Sequence, residues 1–225
     1  MTVAIIYAVL AFVAAYAIGS INFAIIISNI WIKRDIRKFG SGNAGATNVV
    51  RSVGVVPGIL TFLMDFLKGV AAAYIGYLAY GYLANFVSFP IINALSGAYL
   101  CGTVCQLGHI FPIFFDFKGG KGIATTGGIL LILDWRILVV CLLAFGIPFA
   151  FSGIISLGSC ITAVAMPVAA IIFSIGAPLP DFIFRMVLAF VMAAAALIRH
   201  KENINRLVKG QEKPIFGKKK EDKNG

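Results

Sequence analysis

The chain is predicted to be an all-α, polytopic bundle of about seven membrane helices, and three observations lead there. Of its 225 residues, 60% are hydrophobic and only 12% charged, with a mean hydropathy of +0.96. A water-soluble core would carry about 25% charged residues. The apolar residues fall in runs long enough to cross the roughly 30 Å of bilayer hydrocarbon. The net charge of +10 is concentrated in a few short segments, and in membrane proteins Lys and Arg mark the loops that face the cytoplasm.

Residues 1–31 form one apolar run without the charged leader and cleavage site of a removable signal peptide, and are read as the first span. Lys33, Arg34, Arg37 and Lys38 follow and place its far end in the cytoplasm, with the N-terminus outside. Residues 55–82 return outward, and 89–115 come back to deliver Lys118 and Lys121 to the same side. Residues 123–133 would make a helix of about 16 Å, half of what a crossing needs. With 137–152 they are expected to form a short, partly embedded hairpin around Asp134, Trp135 and Arg136, whose ends must be shielded by protein or open to water. Residues 154–175 and 181–198 are the last spans, joined by "GAPLPD", a tight outer turn. The odd count puts the C-terminus in the cytoplasm, where Arg199, Lys201, Arg206, Lys209, Lys213 and "KKKEDK" lie; of 19 basic residues only Arg136 and Arg185 fall outside. The organisation expected is a single membrane domain, 1–210, and a disordered basic cytoplasmic tail, 211–225, drawn to anionic lipid.

Cys101, Cys105, Cys141 and Cys160 all lie in apolar spans with no Cys/His cluster of zinc spacing, so they read as small buried hydrophobes, and no metal or cofactor is expected. The chemistry is in the polar loops. "GSGNAGATNVVR", residues 40–51, approaches the phosphate-loop pattern G-x-x-x-x-G-K-[ST] but has Ala46 where lysine is needed, and no buried strand precedes it. The anion-binding physics survives the mismatch. Glycines expose backbone N–H groups, Ser41, Asn43, Thr47 and Asn48 offer donors, and Arg51 offers a planar fork for phosphate or carboxylate. A flexible spacer is the plain alternative. A second segment, "FKGGKGIATTGG", residues 117–128, carries Gly119, Gly120 and Lys121 into the start of a helix, a ready anion site on the same face. "SLGS" at 156–159 and "RHKENINR" at 199–206 lie at the same depth, with His200 and Asn203 three apart on one helix face. Asp65 and Lys68 are also three apart, inside the second span, and read as bracing a site; His109 fits either a structural imidazole or a site group.

"GSGNAGATNVVR", "GHIFPIFFDFKGGKGIAT" and "HKENINRLVKG", in this order, together with "GSINFAIIIS" and "MDFLKG", resemble the bacterial acyl-phosphate:glycerol-3-phosphate acyltransferases, the PlsY family, over nearly the whole chain to about Glu212. The resemblance implies transfer of an acyl chain from acyl phosphate to a hydroxyl of glycerol 3-phosphate, giving lysophosphatidate and phosphate at the start of bacterial phospholipid synthesis. It implies a multi-pass protein of the bacterial plasma membrane with a cytoplasmic site, and membrane lipid rather than nucleic acid as its surroundings. By the same resemblance Lys121, Ser156, His200 and Asn203 are expected at the reaction, Ser41, Arg51 and Lys121 at the phosphates, and Asn43, Thr47, Asn48, Gly119 and Gly120 in support. One departure is visible: Gly153, Ile154 and Ile155 precede Ser156 where the family usually carries an arginine and a tyrosine followed by V-S-L. No H-x(4)-D motif is present, since Phe114 follows His109 and Asn205 follows His200 at that spacing, which favours acyl phosphate over acyl-CoA as donor. The proton acceptor is open between His200 and the donor's own phosphoryl oxygens. The alternative from another class is a transporter for a phosphorylated solute, for which polar groups stacked through the membrane depth would be expected.

Overall fold

The structure is a computed structural model that describes residues 1–215. It is all-helical among those residues, with ten α-helices: α1 (Thr2–Ser20), α2 (Phe23–Ile32), α3 (Ala46–Ser52), α4 (Val55–Leu83), α5 (Ala94–Ile110), α6 (Ile123–Leu133), α7 (Trp135–Ser152), α8 (Ile155–Phe173), α9 (Leu179–Arg199) and α10 (Lys201–Val208). Six segments are long and apolar enough to cross a membrane, and the 11-residue α6 is a seventh, shorter apolar helix.

The first apolar run differs from the single helix expected. It breaks at Ile21 and Asn22, where Asn22 caps α2 by accepting from the Ile25 N–H at 3.1 Å. The freed carbonyls at the end of α1 are taken by Lys68 of α4, whose Nζ donates to Gly19 O at 3.0 Å and Ile21 O at 2.6 Å. A polar break at membrane depth is tolerated because protein groups satisfy its backbone. A continuous helix of 31 residues would measure about 46 Å, well beyond the hydrocarbon thickness.

Packing relies on small residues, as expected where lipid supplies no hydrophobic drive between helices. Ala4, Ala8, Ala11, Ala15 and Gly19 line the buried face of α1. At Gly19 a Cβ would stand 2.1 Å from the carbonyl oxygen of Cys105, and at Gly69 on α4 it would stand 2.2 Å from that of Thr125 on α6. These near-contacts let α4 sit centrally against α1, α5 and α6, while α7, α8 and α9 pack in sequence and close onto α5 through α9. The short α6 is thereby shielded, with Thr125, Ile129 and Leu130 buried.

The two ends of the bundle differ. At the end where α5 and α9 begin, buried Asp181 accepts from Asn93 at 3.0 Å, from Ser96 and from Arg185, tying the two helices together. At the opposite end α1, α5 and α9 finish and α4, α6 and α8 start, and the polar loops collect there. The N-terminus lies at the first end and residue 215 at the second. The cysteines are free, three of them buried. Residues 211–215 depart from the free tail expected, because they lie against the polar loops; the remainder of that segment, 216–225, lies outside the described residues.

Candidate active site

The first loop is held in shape by one side chain. Asn48, 2% exposed, donates from Nδ2 to the carbonyls of Ile36, Phe39 and Asn43 at 3.2, 2.9 and 3.1 Å, and its Oδ1 accepts the Ser41 N–H at 3.0 Å. The expectation that Asn48 supplies a donor to phosphate is therefore corrected: its amide protons are consumed inside the loop. Gly40 and Gly42 take positive φ in the turn that this amide closes. Ser41, Asn43, Thr47 and Arg51 face a cavity of about 280 Å³, which also receives Lys121, Ser156, His200 and Asn203.

The second loop carries Lys121 to that cavity. Gly119 and Gly120 do not line it; they form the turn behind it. Gly119 N–H donates to Ile110 O at 3.1 Å and Gly120 N–H to His109 O at 3.2 Å. Arg199 clamps the same turn from the side, donating to the carbonyls of Gly120 and Gly119 at 3.3 and 3.1 Å. Their backbone N–H groups are thus occupied, which corrects the expectation that they contact phosphate directly. Their small size is what the fold requires, since a Cβ on Gly119 would stand 2.0 Å from His109 O and one on Gly120 2.2 Å from His109 Nε2. Gly122, at φ +83°, turns the chain into α6, whose N-terminus points into the cavity beside that of α8, a favourable field for an anion.

The third group closes the ring. Lys121 Nζ donates to Asn203 Oδ1. Burial lowers the Lys121 pKa to about 8, against the attraction of Glu212. The amine is still about nine-tenths protonated at pH 7. Asn203 in turn donates to Glu212 Oε1 at 2.7 Å, and Ser156 Oγ donates to the same oxygen at 2.8 Å. Arg206 Nε donates to Oε2. Burial acts to raise the Glu212 pKa, but hydrogen bonds from Arg206, Ser156 and Asn203 outweigh it and leave the carboxyl below its ordinary value. The strand of chain carrying Glu212 is pinned at both ends, by Arg51 donating to Lys213 O at 3.0 Å and by Ile215 N–H donating to Gly153 O at 2.9 Å.

His200 is 3% exposed, and its Nδ1 lies 2.7 Å from Ala196 O, so Nδ1 carries the proton and Nε2 is the acceptor. Burial, with Lys121 nearby, lowers its pKa to about 4. At neutral pH it is an uncharged ring able to accept a hydrogen bond.

The expected site residues from three distant segments thus meet at one end of the bundle. Three participants were not assigned from sequence. Arg206 and Arg199 sit in the "RHKENINR" segment itself, so the signal was present there. Glu212 lay at the edge of what looked like a tail, and nothing local distinguished it. Asp65 and His109 also reach the cavity floor. An apolar cleft of about 220 Å³ opens from the same place, sharing Phe62, Ile123, Ala124 and Phe145 with the polar cavity and running between Leu130, Leu138, Met166 and Met192. Among the described residues no group of three or more His, Cys, Asp or Glu could hold a metal ion.

A glycerol-3-phosphate acyltransferase from Finegoldia magna is 37% identical over 93% of this chain and 96% of its own length, and one from Actinobacillus succinogenes is 38% identical over 93% and 95%. The crystal structure of PlsY, an integral membrane glycerol 3-phosphate acyltransferase, superposes in its glycerol 3-phosphate form with a TM-score of 0.78 at 35% identity, covering 93% of this chain and 96% of that one. Its lysophosphatidic acid form gives 0.75 at 34% identity, covering 93% and 95%. The sequence profile described as glycerol-3-phosphate acyltransferase matches residues 9–210, and the chain belongs to that family of integral membrane acyltransferases.

Proposed function

We propose that this membrane acyltransferase takes its acyl group from acyl phosphate and passes it to a hydroxyl of glycerol 3-phosphate, releasing lysophosphatidate and inorganic phosphate at the cytoplasmic face of a bacterial plasma membrane. The observation that carries the reading is the joining of two unlike spaces. A cavity with Arg51, Lys121 and Arg206 on its walls opens directly into an apolar cleft between helices. A donor with a phosphate at one end and a fatty chain at the other spans that junction, and the second phosphate compound fits the remaining cationic wall. The basic clusters at 33–38 and 199–209 lie at the same end, which supports a cytoplasmic site.

Acyl phosphate is a mixed anhydride, already activated, so the protein's task is mainly to position two anions and screen their charge. Arg51 and Lys121 hold phosphate oxygens, and the N-termini of α6 and α8 add fixed positive potential. The substrate hydroxyl attacks the acyl carbonyl carbon; a new C–O ester bond forms, the bond between the acyl carbon and the bridging oxygen breaks, and phosphate leaves with that oxygen. The hydroxyl proton goes to a phosphoryl oxygen of the donor. His200 is a poor proton store with its pKa near 4 and serves by accepting a hydrogen bond that orients the nucleophile. The polar cavity at one end of the bundle opens into an apolar cleft and not into a polar passage, which weighs against a solute path.

Purified protein in lipid nanodiscs, given palmitoyl phosphate and labelled glycerol 3-phosphate, is expected to form labelled lysophosphatidate and one equivalent of phosphate. Palmitoyl-CoA in place of palmitoyl phosphate is expected to give no product. Product from the thioester alone would overturn the choice of donor.

A further inference from the structure

Beneath the Lys121 loop lies a buried polar pair that the reaction above leaves unused. Asp65 of α4 is 2% exposed and His109, near the end of α5, is 3% exposed; both reach the floor of the polar cavity. Asp65 Oδ1 stands 2.8 Å from Lys68 Nζ and 3.5 Å from His109 Nδ1, but neither contact has hydrogen-bond geometry, and both Oδ1 and Nδ1 lack a hydrogen-bond partner among the described residues. Lys68 also donates to the carbonyls at the α1–α2 break, so its ammonium holds both that break and, as an ion pair, the Asp65 carboxylate, whose Oδ1 faces the imidazole as well.

The other edge of the imidazole meets the catalytic loop. His109 Nε2 is so close to Gly120 that a Cβ there would be 2.2 Å away, while the carbonyl of Ala44, in the first loop, stands 2.7 Å from the same point. The Gly120 backbone is thus held between the ring below and the first loop beside it, and Lys121 is the next residue. Buried polar atoms without partners are costly, so a small rotation of the ring that lets Nδ1 donate to Asp65 is favoured. Such a rotation moves the support under Gly120.

We propose that Asp65 and His109 are positioning residues: the carboxylate sets the plane and tautomer of the imidazole, and the imidazole sets the height of the Gly119–Gly120 turn that aims Lys121 at phosphate. This rests on the reaction proposed above. Neither residue touches the reacting atoms.

The test is a double-mutant cycle in nanodiscs, with kcat and both KM values measured alongside thermal unfolding. His109→Ala is expected to raise the KM of a phosphate-bearing substrate at least tenfold, by more than it lowers kcat. His109→Gln, whose amide can still donate to Asp65, is expected to recover most of that loss. Asp65→Asn alone should show a smaller defect of the same kind, and Asp65→Asn with His109→Ala should be no worse than His109→Ala. If His109→Ala does not fold, the near-isosteric pair Asp65→Asn and His109→Gln reads the same coupling. Independent, multiplying defects in the double variant overturn the proposal, as does a lower unfolding temperature with both KM values unchanged. A wild-type chain that forms no product overturns the reaction and this proposal together; an active wild type with uncoupled variants overturns the positioning role alone.

Discussion

Lys121 is the group whose chemistry the surroundings change most usefully, and its titration can be followed directly. Burial brings its pKa to about 8 from the 10.5 of an ordinary lysine. If the ammonium form grips phosphate, kcat/KM, which reports the free enzyme, is expected to halve near pH 8 and to fall to about a tenth of its plateau at pH 9. A lysine titrating at its ordinary value would lose only about 3% at pH 9. Lys121→Arg keeps the charge at every accessible pH, so it should lower the plateau but abolish the alkaline limb. With anionic substrate in place the ammonium is stabilised, and the limb in kcat should lie at higher pH than the limb in kcat/KM.

Alkaline unfolding would produce a similar loss of activity, and linkage separates the two. The folded-state pKa of Lys121 lies below its unfolded value, so between about pH 8 and 10.5 the unfolded chain binds more protons at this residue than the folded chain does. Stability contributed by this group therefore rises with pH across the window in which activity falls. The assay is initial-rate lysophosphatidate formation from pH 6 to 9.5, with thermal unfolding of the same nanodisc sample at each pH. A flat profile to pH 9.5, or an alkaline limb that persists in Lys121→Arg, would refute the assignment.

Asn48→Ala leaves three loop carbonyls without their shared donor and is expected to destabilise the protein by about 1–3 kcal/mol, seen as a lower unfolding temperature with activity lost in step. Glu212→Ala removes the acceptor common to Ser156, Asn203 and Arg206; it should reduce turnover at least tenfold, and Glu212→Gln should retain more, which titrating both substrates against each variant will show. His200→Gln should keep substantial turnover, because a histidine acting as the general base would cost about 10²- to 10⁴-fold and a ring with its pKa near 4 is not expected to fill that role. Met192→Trp narrows the apolar cleft from its far side and is expected to depress palmitoyl transfer far more than octanoyl transfer, measured as the ratio of the two rates.

Much of the fold was legible because membrane helices announce themselves by length and composition, without tertiary information. The spans starting at 55, 123, 154 and 181 were readable within a residue or two of α4, α6, α8 and α9. The break between α1 and α2 was not, because nothing in "AIGSINFAI" is polar enough to stop an apolar helix by itself. In the fold Asn22 caps α2 there, and Lys68, 47 residues further on, takes the Ile21 carbonyl. The reading of Asp65 and Lys68 as a brace had the right pair, which meets across 2.8 Å, but not the carbonyls at the α1–α2 break that Lys68 also holds.

The site was legible at the level of segments and less so at the level of atoms, and the reason is physical. Glycine-rich loops with Asn, Ser and Lys say that an anion can be held, but not which N–H groups remain unspent after the loop has satisfied itself. Asn48, Gly119 and Gly120 had the right chemistry to bind phosphate, and in the fold that chemistry goes to local carbonyls. In the reaction proposed above, the donors offered to substrate are those on residues beside such self-satisfied turns: Arg51 and Thr47 beside Asn48, and Lys121 beside the glycine turn. Glu212 illustrates the same limit from the other side, since a carboxylate within a basic tail acquires its meaning only when Ser156, Asn203 and Arg206 converge on it from α8 and α10.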